Sequence, residues 1–301
     1  PELLLQLRRQ RILQHHRRVE VRVILVAPRM LRLLKIAHCS DLPCSGATVS
    51  TLDSARTVGL YTSVIIGADG FALISYYDSG SGNLKVTHCS NVDCTASTAS
   101  TVDSRGTVGL YTSMALGVDG LGLISYSDTS EDELKVAHCS DIACTFATAT
   151  NVGLSGTDAS YTSLTIGDDG LGLVSYQDRA NHNLKVAHCE DLACGSATTT
   201  VLASEGNVGQ YSSITIGAKG LGIIVHYDAT NADLIMVSCQ NTACTAATTL
   251  TLDNTGAVGS YASITVGVDG FPLVSYHDAT NANPNVVHCG SRFCTPYFRT
   301  R

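Results

Sequence analysis

Cysteines recur along the chain with a step of fifty residues, at Cys39, Cys89, Cys139, Cys189, Cys239 and Cys289. Each has a second cysteine five residues on, at Cys44, Cys94, Cys144, Cys194, Cys244 and Cys294, and these pairs use all twelve cysteines. A period of that length with no slippage is the mark of a propeller or a solenoid. Each unit is too small to enclose a core, so neighbours must stack to exclude water.

One unit, residues 61–110, holds four strand-like runs. The first is Ser63–Ile66, followed by the turn Gly67-Ala68-Asp69-Gly70. Asp-Gly between two apolar runs is a hairpin signal, because glycine takes positive φ without steric cost. The second run is Phe71–Tyr77 and the third is Leu84–Cys89. In the third, Leu84, Val86 and His88 share one face and Lys85, Thr87 and Cys89 the other. The fourth is the Thr/Ala/Ser stretch after Cys94. Four short antiparallel strands per repeat predict an all-β fold, a β-propeller of about six four-stranded blades. A β-solenoid is the runner-up, but its coils would not need these hairpin turns. Residues 33–60 supply the outer half of a first blade, 61–260 four complete repeats, and 261–301 three strands of a last one. The first and last blades are therefore incomplete.

The phrase LISYYDSGSGNLKVTHC at 73–89 resembles a repeat of secreted bacterial proteins, ISYYDxxNGDLKxA. That resemblance covers roughly residues 33–294 and implies a β-propeller of the sialidase or fucose-lectin type. It speaks to fold more than to activity, since one fold carries many functions.

At 44% hydrophobic and 15% charged residues, the chain is globular in composition rather than disordered. No apolar run approaches the length of a membrane-crossing helix. Residues 1–32 hold eight arginines and two glutamates, which leaves 11 basic and 24 acidic residues of the chain's 19 and 26 for the repeats. A repeat domain that acidic is a poor partner for nucleic acid. Cysteine-rich repeats predict an oxidising compartment, secreted or at the cell surface. A Cys-x4-Cys spacing across the turn between third and fourth strands lets a disulfide staple that hairpin. Each such bridge is worth about 2 kcal/mol on the loop-entropy model. The rival is zinc held by His88, Cys89 and Cys94, but the strand directs His88 and Cys89 to opposite faces. Gly167–Gly170 and the Asp/Asn loops at 228–233 and 278–283 are oxygen-rich without the alternation of a calcium loop. No metal or other cofactor is expected.

Residues 1–32 break the pattern. They contain no glycine and no aspartate, with Arg11 where Tyr61 would align and Glu20 where Gly70 would. They form a non-repeat basic segment ahead of a repeat domain at 33–301. A shifted reading frame explains the loss of repeat sequence; a genuine basic arm is the alternative. The segment lacks the build of a signal peptide. Val19–Val23 alternates like a strand and could stand in for a missing one.

Comparing units within the chain yields candidate site residues. Tyr61, Tyr111, Tyr161, Tyr211 and Tyr261 recur in every unit, as do Ser63, Ser113, Ser163, Ser213 and Ser263. So do Asp78, Asp128, Asp178, Asp228 and Asp278. In a propeller the tyrosine and aspartate rows would lie near one rim, the usual ligand face. Invariance among units favours a packing or turn role for both rows; each Asp could cap its own turn. The position before that Asp varies, reading Tyr77, Ser127, Gln177, Tyr227 and His277. Such residues could face a ligand or be tolerated surface.

The tyrosine row, with Tyr77, Gln177, Tyr227 and His277, is the expected ligand-binding set. No catalytic residue is expected. The arginine cluster of sialidases has no counterpart, their Ser-x-Asp-x-Gly-x-Thr-Trp box is absent, and the chain has no tryptophan. No unit looks different enough from its neighbours to hold a single active site. The sequence therefore predicts a non-catalytic secreted module for surface recognition or scaffolding, with a glycan or a cell-surface protein as partner. The alternatives are a sialidase-like glycoside hydrolase and a purely structural matrix module. The sequence does not set the oligomeric state.

Overall fold

The computed structural model describes the backbone of residues 21–22 and residues 33–294, except 42, 56, 154, 155, 157, 158, 292 and 293. The remainder of the basic segment lies outside the described residues. Val21–Arg22 pairs antiparallel with Ala37–His38, where the alternating stretch was expected to supply a strand.

Among the described residues every regular element is a strand. They form four four-stranded and two three-stranded antiparallel sheets, each with its strands in chain order. In the repeat at 61–110 the strands are Leu60–Ile66, Ala72–Asp78, Asn83–Cys89 and Ser97–Asp103. The second strand is buried along its whole length and the fourth is exposed or half-buried up to its last residue. The Gly-x-Asp-Gly turn closes with Gly67 N–H donating to Phe71 O at 2.8 Å, and Gly70 takes φ +84°. The chain divides into two compact units, one reaching Thr150 apart from residues 132–134, the other continuing from Asn151.

All six cysteine pairs are disulfide-bonded, with Cα–Cα separations of 4.5 to 4.9 Å. The second cysteine of each pair sits in the left-handed region, φ 51–57°, which lets a tight turn return the sulfur to the third strand. The side chain two residues past the first cysteine braces that turn: Asn91 Oδ1 accepts from Thr95 N–H at 3.0 Å, and Asp141 Oδ1 from Thr145 N–H at 3.0 Å. The sulfurs bond to one another, which removes them as zinc ligands.

Core packing lies between successive sheets. In the first unit Leu84 and Val86 of one sheet pack with Met114, Ile124 and Tyr126 of the next. In the second unit Leu184 and Val186 pack with Ile214, Ile224 and Val237. Burying such side chains contributes roughly 1.5–3 kcal/mol each, and no repeat could collect that alone. Gly109 (φ +100°) lets the strands come this close, because a β-carbon there would stand 2.8 Å from Leu84 Cα.

Polar groups tie one sheet to the next. Ser63 Oγ accepts from Met114 N–H at 3.0 Å, Ser163 Oγ from Ile214 N–H at 3.1 Å, and Ser213 Oγ from Ile264 N–H at 3.2 Å. The recurrent serine is thus a fastener between sheets. A second fastener is the tyrosine of the second strand, whose hydroxyl donates to an aspartate ending the preceding sheet: Tyr76 to Asp53, Tyr126 to Asp103 and Tyr276 to Asp253, at 2.6–2.7 Å.

Candidate functional site

The tyrosine row begins with a bulge. Pairing of first and second strands skips between Leu60 and Ser63, and likewise between Gln210 and Ser213. The tyrosine within each skip takes a left-handed backbone: φ is 51° at Tyr61, 54° at Tyr111, 52° at Tyr161 and Tyr211, and 55° at Tyr261. A bulky side chain is rare there and costs roughly 1–3 kcal/mol. Within each unit the rings approach one another from repeat to repeat. In the first unit the centroids of Tyr61 and Tyr111 are 4.6 Å apart. In the second, Tyr161, Tyr211 and Tyr261 form a file with spacings of 4.6 and 4.4 Å. Tyr61 and Tyr261 are each 37% exposed. Burial first, then hydrogen bonding with Tyr261 and Tyr161, raises the Tyr211 phenol far above its ordinary range. It stays a neutral donor.

The variable residues sit beside the row with different duties. Tyr77 lies 6.4 Å from Tyr61, Tyr227 6.4 Å from Tyr211, and His277 6.2 Å from Tyr261, ring to ring. His277 Nδ1 is 3.2 Å from Ser260 Oγ. Gln177 is buried, its amide donating to Asn207 Oδ1 and Val208 O at 2.9 Å. Ser127 is buried with its hydroxyl unpartnered.

Each recurrent aspartate after that position caps its own hairpin. Asp78 Oδ1 accepts from Gly80 N–H at 3.0 Å, and Asp228 Oδ1 from Thr230 N–H at 2.9 Å. Lysine adds a second tie. Lys135 pairs with Asp128 and Lys185 with Asp178, while Lys85 reaches Asp53 at 2.7 Å. Burial alone would raise the Asp128 carboxyl, but hydrogen bonds from Lys135 and Ser130 outweigh it and hold the group below the usual carboxylate range.

One repeat departs from the others. In 211–260 the lysine is Ile235, and Asp228 keeps only the side-chain amide bond, from Asn231 Nδ2 at 2.7 Å, that Asn181 gives Asp178 alongside Lys185. Position 233, asparagine in three repeats and glutamate in one, is an aspartate. Burial and the charges of Asp228 and Asp253 raise its carboxyl above the ordinary value. Asp253 lies opposite Leu234, next to Asp233, and holds Tyr276 at 2.6 Å. The fastening tyrosine is replaced by His226 and its aspartate partner by Ala203. His226 Nδ1 accepts from Gly209 N–H at 3.2 Å, Nε2 is buried without a partner, and burial lowers the imidazole from 6.5 to about 4.

No family model matches the chain, and no curated protein does. Solved structures share its fold. The hydrazine synthase of Kuenenia stuttgartiensis superposes with a TM-score of 0.58 at 12% identity, over 90% of this chain and 80% of that one. A GH43 β-1,3-galactosidase superposes with a TM-score of 0.51 at 10% identity, over 76% of this chain and 89% of that one. At these identities the likeness is one of fold: this is a propeller-type repeat protein. It does not extend to the sialidase or fucose-lectin type that the repeat phrase suggested.

The expectation of a non-catalytic recognition or scaffolding module, and of no enzyme, is corrected here. A glycoside hydrolase stands among the neighbours on this fold. The physical premise of that expectation also fails, because repeat 211–260 departs from its neighbours at Lys219, His226, Asp233, Ile235 and Ser238, and the position facing His226 in the preceding repeat is Ala203. Reading the repeats column by column exposes these positions. Weighing only the invariant columns passed over them.

Proposed function

We propose that the chain is a glycoside hydrolase of propeller type. It seats sugar rings against the tyrosine file and cleaves beside the acidic end of repeat 211–260. The left-handed tyrosines carry this reading. Backbone strain repeated at five aromatic positions is held where a site needs it, and phenol rings offer sugars an apolar face with a hydroxyl at its edge. Tyr227, adjoining Tyr211, ends one residue short of the turn that bears Asp228 and Asp233. In the proposed reaction Asp233, the carboxyl with raised proton affinity, protonates the glycosidic oxygen as the bond from the anomeric carbon breaks. Asp253 takes the proton from the water that adds to that carbon. Each sheet acts as a propeller blade, and the six disulfides suit a secreted enzyme working on glycans outside the cell.

Incubation with nitrophenyl arabinosides, xylosides and galactosides, and with the corresponding polysaccharides, tests this. Release of nitrophenol or reducing ends is expected, with Asp233→Asn lowering kcat at least a hundredfold and Tyr211→Ala raising KM. No release from any of these substrates would sink the proposal.

A further inference from the structure

At the opposite end of repeat 211–260 lies a cavity of about 300 Å³, lined in part by Lys219, Leu221, Ile223, Ser238, Gln240 and Thr248. Four other repeats build this place differently. There the aspartate of the Gly-x-Asp-Gly turn meets a histidine of the third strand: Asp69 with His88, Asp119 with His138, Asp169 with His188 and Asp269 with His288, at 2.8–2.9 Å. The same aspartate accepts a backbone N–H two residues on, from Phe71, Leu121, Leu171 and Phe271, at 3.0–3.1 Å. Each of those repeats thus holds a carboxylate in place, with one backbone donor and one imidazole on it.

In 211–260 both halves of the pair are replaced, aspartate by Lys219 and histidine by Ser238. The turn's own carboxylate is gone, and the one beside it belongs to Asp168 of the preceding repeat, which packs against Gly220 and does not line the cavity. A lysine now stands at its position in the turn, and a hydroxyl stands where the imidazole was. The N–H of Leu221 has no aspartate from its own turn to receive it, and the cavity lies there. We infer that this cavity binds a small organic carboxylate from solution, whose carboxyl group takes the place of the missing aspartate. Leu221 N–H and Ser238 Oγ would donate to it, and Lys219 would supply the positive charge. Leu221 and Ile223 would pack on its body, while Gln240 and Thr248 offer hydrogen bonds to hydroxyls. The volume suits a molecule of monosaccharide size, which points to a sugar acid. Strand Gly222–Asp228 separates this cavity from the acidic turn by about 20 Å, so it is a second site and does not rest on the hydrolase reading.

Calorimetric titration of the whole chain with glucuronate, butyrate and glucose tests it. Binding of a carboxylate with one site per chain, at least tenfold tighter than glucose, supports the inference. Of the two acids, the tighter binder shows whether the body is read as sugar or as hydrocarbon. Lys219→Asp with Ser238→His rewrites the site into the pair its neighbours carry, so the fold is retained. This variant should lose carboxylate binding at least tenfold while keeping its unfolding midpoint and whatever glycoside release the parent shows. No carboxylate binding up to about 10 mM, glucose binding as tightly, or undiminished binding by the double variant would each overturn it.

Discussion

Repeats 111–160 and 211–260 contain the same hairpins and the same disulfide, yet their polar fittings differ. The first carries Tyr126 on Asp103, Lys135 on Asp128 and His138 on Asp119. The second carries His226 with Ala203, Ile235 beside Asp228, and Ser238 with Lys219. In 211–260, where the aspartate goes, its partner goes too. Where Asp228 stays but the lysine is lost, the amide of Asn231 still serves it, as Asn181 serves Asp178 beside Lys185. A buried polar group left alone costs about 1–3 kcal/mol, more if charged, whereas exchanging both partners can be nearly neutral. Polar fittings in this repeat have therefore changed as sets, and the repeat freed from the common set is the one in which new chemistry can be placed.

Breaking one partner of a set should cost most. Lys135→Ile copies repeat 211–260 into 111–160 and strands Asp128, whose side chain is fully buried. We expect a loss of about 3–5 kcal/mol, read as a lower urea midpoint. Adding Glu131→Asn, the residue that serves Asp228, should recover part of it; no recovery would mean that the asparagine is no substitute for the ammonium.

His226 gives the next effect, through pH. Its folded value is depressed to about 4 while an unfolded imidazole titrates near 6.5. The unfolded chain therefore binds the proton first. Stability is full above pH ~6.5 and falls as the pH drops toward ~4, by up to about 3 kcal/mol. Rebuilding the common pair with Ala203→Asp and His226→Tyr should remove that part of the acid sensitivity, read as the difference between the two chains' urea midpoints at pH ~7 and pH ~4.5. An unchanged difference would contradict the buried neutral imidazole.

The smallest effects come from one repeat that kept half a set. Tyr126→Phe takes a hydroxyl from Asp103 and should cost about 1.5–3 kcal/mol. Tyr176 occupies the same position in the next repeat, but its partner position is Gly153 and its buried hydroxyl is unpartnered. Tyr176→Phe should be neutral or slightly stabilising in the same urea titration. Equal costs for the two would refute the view that the aspartate gives the hydroxyl its worth.

The chain's own period and its turn residues determined the strands, the hairpins and the disulfide pairing, because each depends on contacts within a few residues. Asp-Gly and Cys-x4-Cys act on their own hairpin, and alternation along Leu84–Cys89 follows from the geometry of one strand. The left-handed backbone of the tyrosines was not visible, since nothing in Tyr-Thr-Ser announces a bulge. The partners of Tyr126 and Ser63 lie 23 and 51 residues away, and only packing of sheet on sheet decides such distances. The acidic end and the cavity of repeat 211–260 belong to that second kind: their residues are ordinary one by one and gain meaning only from what they have ceased to touch.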